Sequence, residues 1–368
     1  MWGWGQNLTV GVLRLQTVDG FVAFDLEGAR MSAGGTRLAP DVSEQEIVEL
    51  ARAMTYKFAV LGDRLGGAKG GVRAHASDPA ARADAMARYC AEIRPLVASR
   101  KFLTGPDLGT HEEDFAPIRD LAAVPSAISS TVDGVSFEDV VTGFGVAAAA
   151  EAALGGLTGR RVAIEGFGKV GGGVAREVVR RGGTVVAVST VLGAVHDPGG
   201  LDVETLWKAR RQMGDRCIEA LGMAVAPTSA LFDAPADVLV PGARTGAVDH
   251  IRAARIQAHA VVPAANVPYT AEGLRTLEQR GIAAHADFIC NAGAVIAYRS
   301  RPDAAPAQVL ADVEARIRSL MGQAAGHPQG PFAGACEMAE RFLATWRGDD
   351  LPEGRPLASA PPTTQLPA

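Results

Sequence analysis

At 368 residues, with 48% hydrophobic and 21% charged side chains, the chain is too long for one ordinary domain and too apolar for a disordered one, so two packed domains are expected. A formal net charge of -5 leaves no basic excess to neutralise phosphates or anionic lipid, which argues against nucleic acid and membrane as partners and for a small-molecule substrate. Cys90, Cys217, Cys290 and Cys336 form no CxxC pair, so neither a disulfide framework nor a metal site is expected, and the four read as reduced thiols.

The start, MWGWGQNLTVGVLRLQ, has no positive region leading into an apolar core, and no apolar run reaches membrane-spanning length, so a cytoplasmic protein is expected. Residues 8–26 alternate apolar and polar around Val18-Asp19-Gly20, which predicts an antiparallel hairpin. Ser43 and Glu46 form a capping-box pattern, and Ile47, Leu50, Ala51 and Met54 follow at helical spacing, predicting a helix with Lys57 near its end. Asp78-Pro79 reads as the N-cap and first-turn proline of a second helix, which Pro95 is expected to disrupt. The segment KFLTGPDLGT returns as a short strand and loop, after which Thr110 and Glu113 suggest another capping box with His111 in its first turn.

From Arg160 the pattern changes. RRVAIEGFGKVGGGVAREVVRRGGTVVAVS places a buried strand before a glycine turn, then an amphipathic helix, then a second apolar strand, which is a βαβ unit. DVLVPGA at 237–243, AVVPAAN at 260–266 and the stretch leading to DFICNAG supply further parallel strands of a doubly wound sheet. ADVEARIRSLMGQA and CEMAERFLATW read as helices that pack back on the first domain. The expected fold class is α/β: an α/β first domain over 1–141 completed by helices within 296–348, a Rossmann-like dinucleotide-binding domain over 142–295, and a disordered tail over 349–368 rich in Pro, Ser and Thr.

Gly166, Gly168 and Gly171 make GxGxxG at the strand-to-helix junction, where glycines permit a tight turn and let a pyrophosphate approach the helix N-terminus. A lone GxGxxG also fits a structural turn; the flanking strand, helix and strand favour a dinucleotide. At the end of the second strand, where a carboxylate would read the ribose 2′-hydroxyl, stand Ser189 and Thr190. Neither repels nor attracts a 2′-phosphate, so NAD and NADP both stay open. Asp197 lies further along and fits the turn His196-Asp197-Pro198-Gly199.

Lys57 ends a core-facing helix, and Lys69 is framed by glycines in GGAKGG. A lysine taken alone reads as a solvated surface group. Beside apolar walls, however, it loses hydration and becomes usable as a general base near neutral pH, and glycines allow close backbone approach to a ligand. Asp107, in TGPDLGT, follows an apolar strand in a loop where either turn stabilisation or chemistry fits. No motif pairs a serine or cysteine with a histidine as in a hydrolase.

Taken together and in order, AGGTR at 33–37, MTYK at 54–57, LGGAKGG at 65–71, GPDLGT at 105–110, VTGFGV at 141–146, GFGKVG at 166–171, AANVP at 264–268 and NAGAVI at 291–296 resemble the glutamate/leucine/phenylalanine/valine dehydrogenase family. The resemblance covers about residues 20–300. It implies an N-terminal substrate and oligomerisation domain, a homo-oligomer, and NAD(P)-dependent oxidative deamination of an L-amino acid to its 2-oxo acid and ammonia. By the same resemblance Lys57 holds the substrate α-carboxylate, Lys69 is the low-pKa base that activates water, and Asp107 relays protons. Ala33, Gly34, Gly35, Val295 and Tyr298 are implied to line the substrate site. Asn266 and Asn291 are implied to orient nicotinamide and substrate, with Thr142 near the nicotinamide amide. Gly166, Phe167, Gly168, Lys169, Val170, Gly171, Ser189, Thr190 and Ala243 are implied to surround the dinucleotide. No metal is implied, and a cleft between domains is expected to exclude water.

Glutamate enzymes of the family carry a side-chain-binding lysine 24 residues before the lysine that matches Lys57; here that slot is Ala33. Seven residues after Asn291 they carry a serine; here it is Tyr298, whose ring could line an apolar pocket or pack in a hinge helix. Burying a second carboxylate without a cation is costly, so an apolar amino acid (Leu, Val or Phe-like) is expected. GGAKGGV and GAVHDPGGLD look closer to the glutamate enzymes, which keeps glutamate dehydrogenase as the alternative. A catalytically idle nucleotide-binding regulator is a rival of another class, and retention of Lys57, Lys69 and Asp107 together argues against it. A hydroxy-acid dehydrogenase would want an Arg and His pair at the reacting carbon, which no motif frames here.

Overall fold

A computed structural model describes residues 11–75, 78–121, 128, 130–132, 135–348 and 354–359. The chain divides into two compact units, Met1–Ala123 with Met338–Pro356, and Val124–Glu337 with Leu357–Ala368. Among the described residues no helix is long and apolar enough to cross a membrane.

The first unit is built on a mixed sheet of β1 (Gly11–Arg14), β2 (Gly20–Phe24), β3 (Ser32–Ala33), β4 (Thr36–Leu38), β5 (Gly66–Val72) and β6 (Phe102–Leu103). β1 and β2 form the expected antiparallel hairpin; residues 8–10 of that expectation lie outside the described residues. β2 pairs antiparallel with β5, setting Ala23 opposite Lys69, while β3 and β4 run parallel to β5. Helix α1 (Glu44–Leu61) is capped by Ser43, whose Oγ accepts from the Glu46 N–H at 3.1 Å, and it ends at Gly62 in the left-handed region. Helix α2 (Pro79–Ala98) is capped by Asp78 and covers the sheet through Met86, Tyr89, Cys90 and Ile93.

Two local expectations fail here. Pro95 lies inside α2, which continues to Ala98, because a proline in the last turn removes one hydrogen bond without breaking several. Thr110 does not cap a helix at Glu113: its Oγ1 donates to Thr36 O at 2.8 Å and accepts from the Asp107 N–H at 2.8 Å, tying the loop to β4. Asp114 Oδ2 instead accepts from the His111 N–H, ahead of a 3₁₀ helix over Glu112–Leu121.

The second unit begins with a two-strand ribbon, β7 (Thr131–Val132) and β8 (Val135–Ser136), leading into α3 (Phe137–Leu154). Its sheet contains β9 (Arg161–Glu165), β10 (Thr184–Thr190), β11 (Gly193–His196), β12 (Val238–Pro241), β13 (Ala260–Val261) and β14 (Ala283–Ala284), in the order β11-β10-β9-β12-β13-β14. All neighbours are parallel except β11, which folds back on β10 as an edge hairpin. The further helices are α4 (Lys169–Arg180), α5 (Val203–Met213), α6 (His250–Arg255), α7 (Ala271–Gln279), α8 (Asp287–Cys290), α9 (Gly293–Ala297), α10 (Pro306–Ala325) and α11 (Gly330–Arg347), of which only Gly330–Glu337 group with this unit. The doubly wound α/β class is therefore as expected, with near-continuous apolar runs in β9, β10 and β12 because helices bury both faces.

The partition of the last third differs from expectation. Helix α10 belongs to the second unit, where Ile317 reaches Gly145 of α3, and only Met338–Pro356 group with the first. Residues 124–141 also group with the second unit. Within the expected tail, residues 354–359 are held: Gly354 O accepts from Arg52 Nη1 at 2.8 Å, Arg355 pairs with Glu340 at 2.9 Å, and Ala358 N–H donates to Tyr269 O at 2.9 Å. Composition signalled a free end, but these polar contacts, two of them with the buried Arg52 and Tyr269, outweigh it. The remainder of 349–368 lies outside the described residues.

Candidate active site

The first unit concentrates charge where backbones come unusually close. A Cβ at Gly67 of β5 would lie 1.9 Å from Ala51 O of α1, and one at Gly34 would lie 1.8 Å from Ala68 O, so only glycine lets α1 and the β3–β4 turn press on β5. All seven residues of β5 are buried in consequence, Lys69 at 3% exposure, and Lys57 on α1 is buried at 5%. A Cβ at Gly35 would meet Pro106 O at 2.7 Å and Asp107 Cβ at 3.1 Å, which explains how the GPDLGT loop reaches the strand. Ala33, on β3, is half-buried opposite Gly67.

Asp107 is thereby brought to Lys69, with which it forms an ion pair, and Arg37 Nη2 approaches its other oxygen at 3.6 Å. Burial alone would raise the Asp107 carboxyl, but Lys69 and then Arg37 act in the opposite sense and hold it well below the usual carboxylate range. Arg37 also donates to Glu46 Oε1 at 2.6 Å, so the carboxylate expected to complete a capping box is spent on steadying the arginine. Arg37 was visible only as the last letter of AGGTR; its role needs the strand to turn it toward the loop.

The second unit carries the glycine turn. Gly166 has φ +86°, and a Cβ at Gly171 would stand 1.9 Å from Gly166 O. Gly168 caps α4 without any side-chain hydrogen bond, and a Cβ there would meet nothing within 4 Å. A twelve-residue helix thus presents backbone N–H groups to open space beside the β9–β12 edge, where the strand order reverses, which fits a pyrophosphate. Phe167 is buried beneath the turn, Val170 is half-buried, and exposed Lys169 lies 3.7 Å from Asp139 of α3. Glu165 ends β9 directly before the turn, and Ala243 N–H approaches its Oε2 at 3.4 Å from the end of β12. Burial pushes the Glu165 carboxyl up to about 7. A carboxylate closing an apolar strand ahead of GFG was the sequence signal for it.

Ser189 and Thr190 occupy the end of β10, but both hydroxyls serve the fold. Ser189 Oγ accepts from the Gly166 N–H at 3.3 Å, while Thr190 Oγ1 donates to Asp215 O at 2.9 Å and accepts from the Leu192 N–H at 3.3 Å. The two expected asparagines do meet: Asn291 Nδ2 donates to Asn266 Oδ1 at 3.0 Å and to Ala264 O at 3.1 Å. Asp287, which sequence reasoning passed over, accepts from the Val267 N–H at 2.9 Å and holds Val267 at φ +49°, a conformation a β-branched residue rarely adopts. The hydrogen bond that holds this strained residue fixes the AANVP loop that carries Asn266. Thr142 Oγ1 donates to Glu138 O at 2.8 Å, and Val295 and Tyr298 lie on and just past α9.

Two family models match the chain, "Glutamate/Leucine/Phenylalanine/Valine dehydrogenase" over residues 134–300 and "Glu/Leu/Phe/Val dehydrogenase, dimerisation domain" over 14–123. The chain is 32% identical over 278 residues to a glutamate dehydrogenase of Aeropyrum pernix, covering 72% of this chain and 66% of that one. It is 30% identical over 299 residues to an NAD-specific glutamate dehydrogenase of Staphylococcus aureus, covering 76% and 71%. It thus spans about two thirds of the length of these curated relatives. The hetero-hexameric glutamate dehydrogenase of Thermus thermophilus, in a Leu-bound form, superposes with a TM-score of 0.76 at 29% identity, over 89% of this chain and 84% of that one. The motif order, both units and these likenesses agree, and the chain belongs to the glutamate/leucine/phenylalanine/valine dehydrogenase family.

Proposed function

We propose that the protein catalyses the reversible oxidative deamination of an L-amino acid with a neutral side chain, using NAD or NADP, and that it does so as a homo-oligomer assembled through its first unit. The observation that carries this is the buried Lys69–Asp107 pair with Arg37 behind it, an acid–base set that a mere nucleotide-binding module has no use for. A bound nicotinamide would supply the acceptor for the hydride of the substrate Cα. Lys57 grips the α-carboxylate, and Lys69 moves protons between the amine, the attacking water and Asp107. Against the effect of burial, Lys69 and then Arg37 keep Asp107 ionised through the acid range, as the partner of Lys69 in the relay. Asn266 and Asn291 orient the reacting carbon and the amide of the cofactor, steadied by each other and by the strained loop.

Ala33 and Tyr298 support a neutral side chain, since neither supplies a cation to a second carboxylate. Similarity to proteins named glutamate dehydrogenases favours the second reading, that glutamate is the substrate. A panel of 2-oxo acids with ammonium, run separately with NADH and NADPH, distinguishes them. Higher kcat/KM for 2-oxo acids with apolar side chains than for 2-oxoglutarate is expected; the reverse order selects the glutamate reading, and no turnover with any acid selects an idle regulator.

A further inference from the structure

The second unit places a carboxylate against the residue assigned above to the substrate side chain. Helix α3 opens with Ser136 as N-cap, and its Oγ accepts from the Asp139 N–H at 3.2 Å while donating to Asp139 Oδ2 at 2.6 Å. Asp139 is therefore committed to the cap and to Lys169. Glu138 lies one residue earlier, in the same first turn. Its backbone carbonyl accepts from Thr142, and its Oε2 accepts from the Tyr298 hydroxyl at 3.3 Å, across 160 residues of sequence. The contact exists because α9 lies hard on α3: a Cβ at Gly293 would stand 2.4 Å from Val141 O and 3.2 Å from Thr142 Cα. The glycine of the NAGAV segment thus fixes Tyr298, 37% exposed, over the first turn of α3. The helix N-terminus favours the ionised form of a carboxylate in that turn.

We propose that Glu138 is a specificity-determining residue that rejects substrates with a second carboxylate and accepts neutral or hydrogen-bond-donating side chains. This rests on the assignment of Tyr298 to the side-chain pocket. Removing a cation, as Ala33 does, only withholds attraction from a dicarboxylate. A fixed anion adds repulsion, which is how a site discriminates sharply between molecules of the same shape. An amide N–H in place of that second carboxylate would instead find an acceptor in Glu138.

Glutamate and glutamine match in shape and differ in charge, so their relative kcat/KM in the deaminating direction isolates the effect. For the wild type the ratio of glutamine to glutamate is expected above one. Glu138→Gln, which keeps size and hydrogen bonding, should lower that ratio by at least about tenfold, the scale of one close like-charge contact. Glu138→Lys should lower it further and invert it. A graded response across Glu, Gln and Lys is beyond a residue that merely steadies the helix, whose loss would shift Tm and leave the ratio alone. A ratio unmoved across the three folded proteins overturns the assignment of Glu138. If instead the wild type deaminates neither these two nor any apolar amino acid, the reading of the protein as an amino-acid dehydrogenase falls, and this one with it.

Discussion

Individual glycines are put to opposite uses at the two candidate sites, one in each unit. In the first, Gly34 and Gly67 stand where any Cβ would overlap backbone atoms, and the space they save is filled by protein, closing α1 and the β3–β4 turn over Lys69. In the second, a Cβ on Gly168 would meet nothing within 4 Å, which leaves the N-terminus of α4 open. The first site is assembled from mostly buried charged side chains, and the second from backbone N–H groups at a helix N-terminus. Electrostatics in the first is therefore sensitive to any change in its ion pairs, whereas the second answers to charges added or removed around an open turn.

The largest effect is expected at Lys69. Lys69→Ala should leave a protein that still binds dinucleotide through the second unit, with deamination reduced by roughly 10²- to 10⁴-fold, the scale of general acid–base catalysis. It also leaves the mostly buried Asp107 carboxylate with Arg37 and the Leu108 N–H as its partners, so stability should fall as well, by up to about 3–5 kcal/mol, the scale of breaking a buried pair. The sign with pH follows from Asp107. Its folded pKa is depressed, so its stabilising contribution is present above the ordinary aspartate range and is lost as pH falls through the depressed value. In Lys69→Ala that loss should begin at higher pH, visible as earlier acid unfolding in a circular dichroism titration. Lys57→Ala should instead raise KM more than it lowers kcat, since a grip on the α-carboxylate serves ground and transition states alike. Equal kinetics for both variants and the wild type would remove the first site from the chemistry.

What was legible beforehand follows the same division. GGAKGG marked Lys69 by its glycine frame, which suggested room for a ligand where the structure packs protein atoms instead, and GFGKVG between two apolar strands announced the turn, because each motif is complete within a few residues. Asn266 and Asn291 were legible only through motif resemblance, and their hydrogen bond only in the fold. Contacts such as Tyr298 with Glu138, Arg37 with Asp107, or Arg52 with Gly354 join distant segments, and no local spacing encodes them. Helix α10 was misassigned for the same reason: an amphipathic stripe says that a face is buried, without naming the partner.

A smaller effect separates the open site from the closed one by pH. Glu165 holds its proton up to about 7, at the crevice where a pyrophosphate is expected. Below that value it is neutral, and above it the carboxylate opposes an anion, so dinucleotide affinity should weaken as pH rises from 6 to 8. The change is limited to about tenfold per pH unit for one linked proton. Stability carries the same sign: a folded pKa raised above the unfolded one means stability declines between the ordinary glutamate range and about 7, and is level beyond. Glu165→Gln should flatten both profiles. Fluorescence titration of NADH or NADPH at three pH values checks this, and an unaltered slope in the variant would place the carboxylate away from the bound cofactor.

The smallest expected effect lies at the end of β10, where sequence alone pointed to Thr190 as the place to install a ribose-reading carboxylate. Thr190 is 6% exposed, and its hydroxyl already donates to Asp215 O while accepting from the Leu192 N–H. An aspartate there would lose the donor and set a carboxylate against a carbonyl oxygen, so Thr190→Asp should cost about 1–3 kcal/mol of stability. Its charge is held inside the turn, and the preference between NAD and NADP should hardly move. Val191, the next residue, is 63% exposed at the tip of the β10–β11 hairpin, with no comparable fold bond to lose. Val191→Asp should therefore penalise a 2′-phosphate more than Thr190→Asp does, at little cost in Tm. The ratio of kcat/KM with NAD to that with NADP, measured for both variants beside their melting temperatures, ranks the two positions. A larger shift from Thr190→Asp would mean that the hydroxyl gives up its bond to Asp215 and turns toward the ribose when cofactor binds.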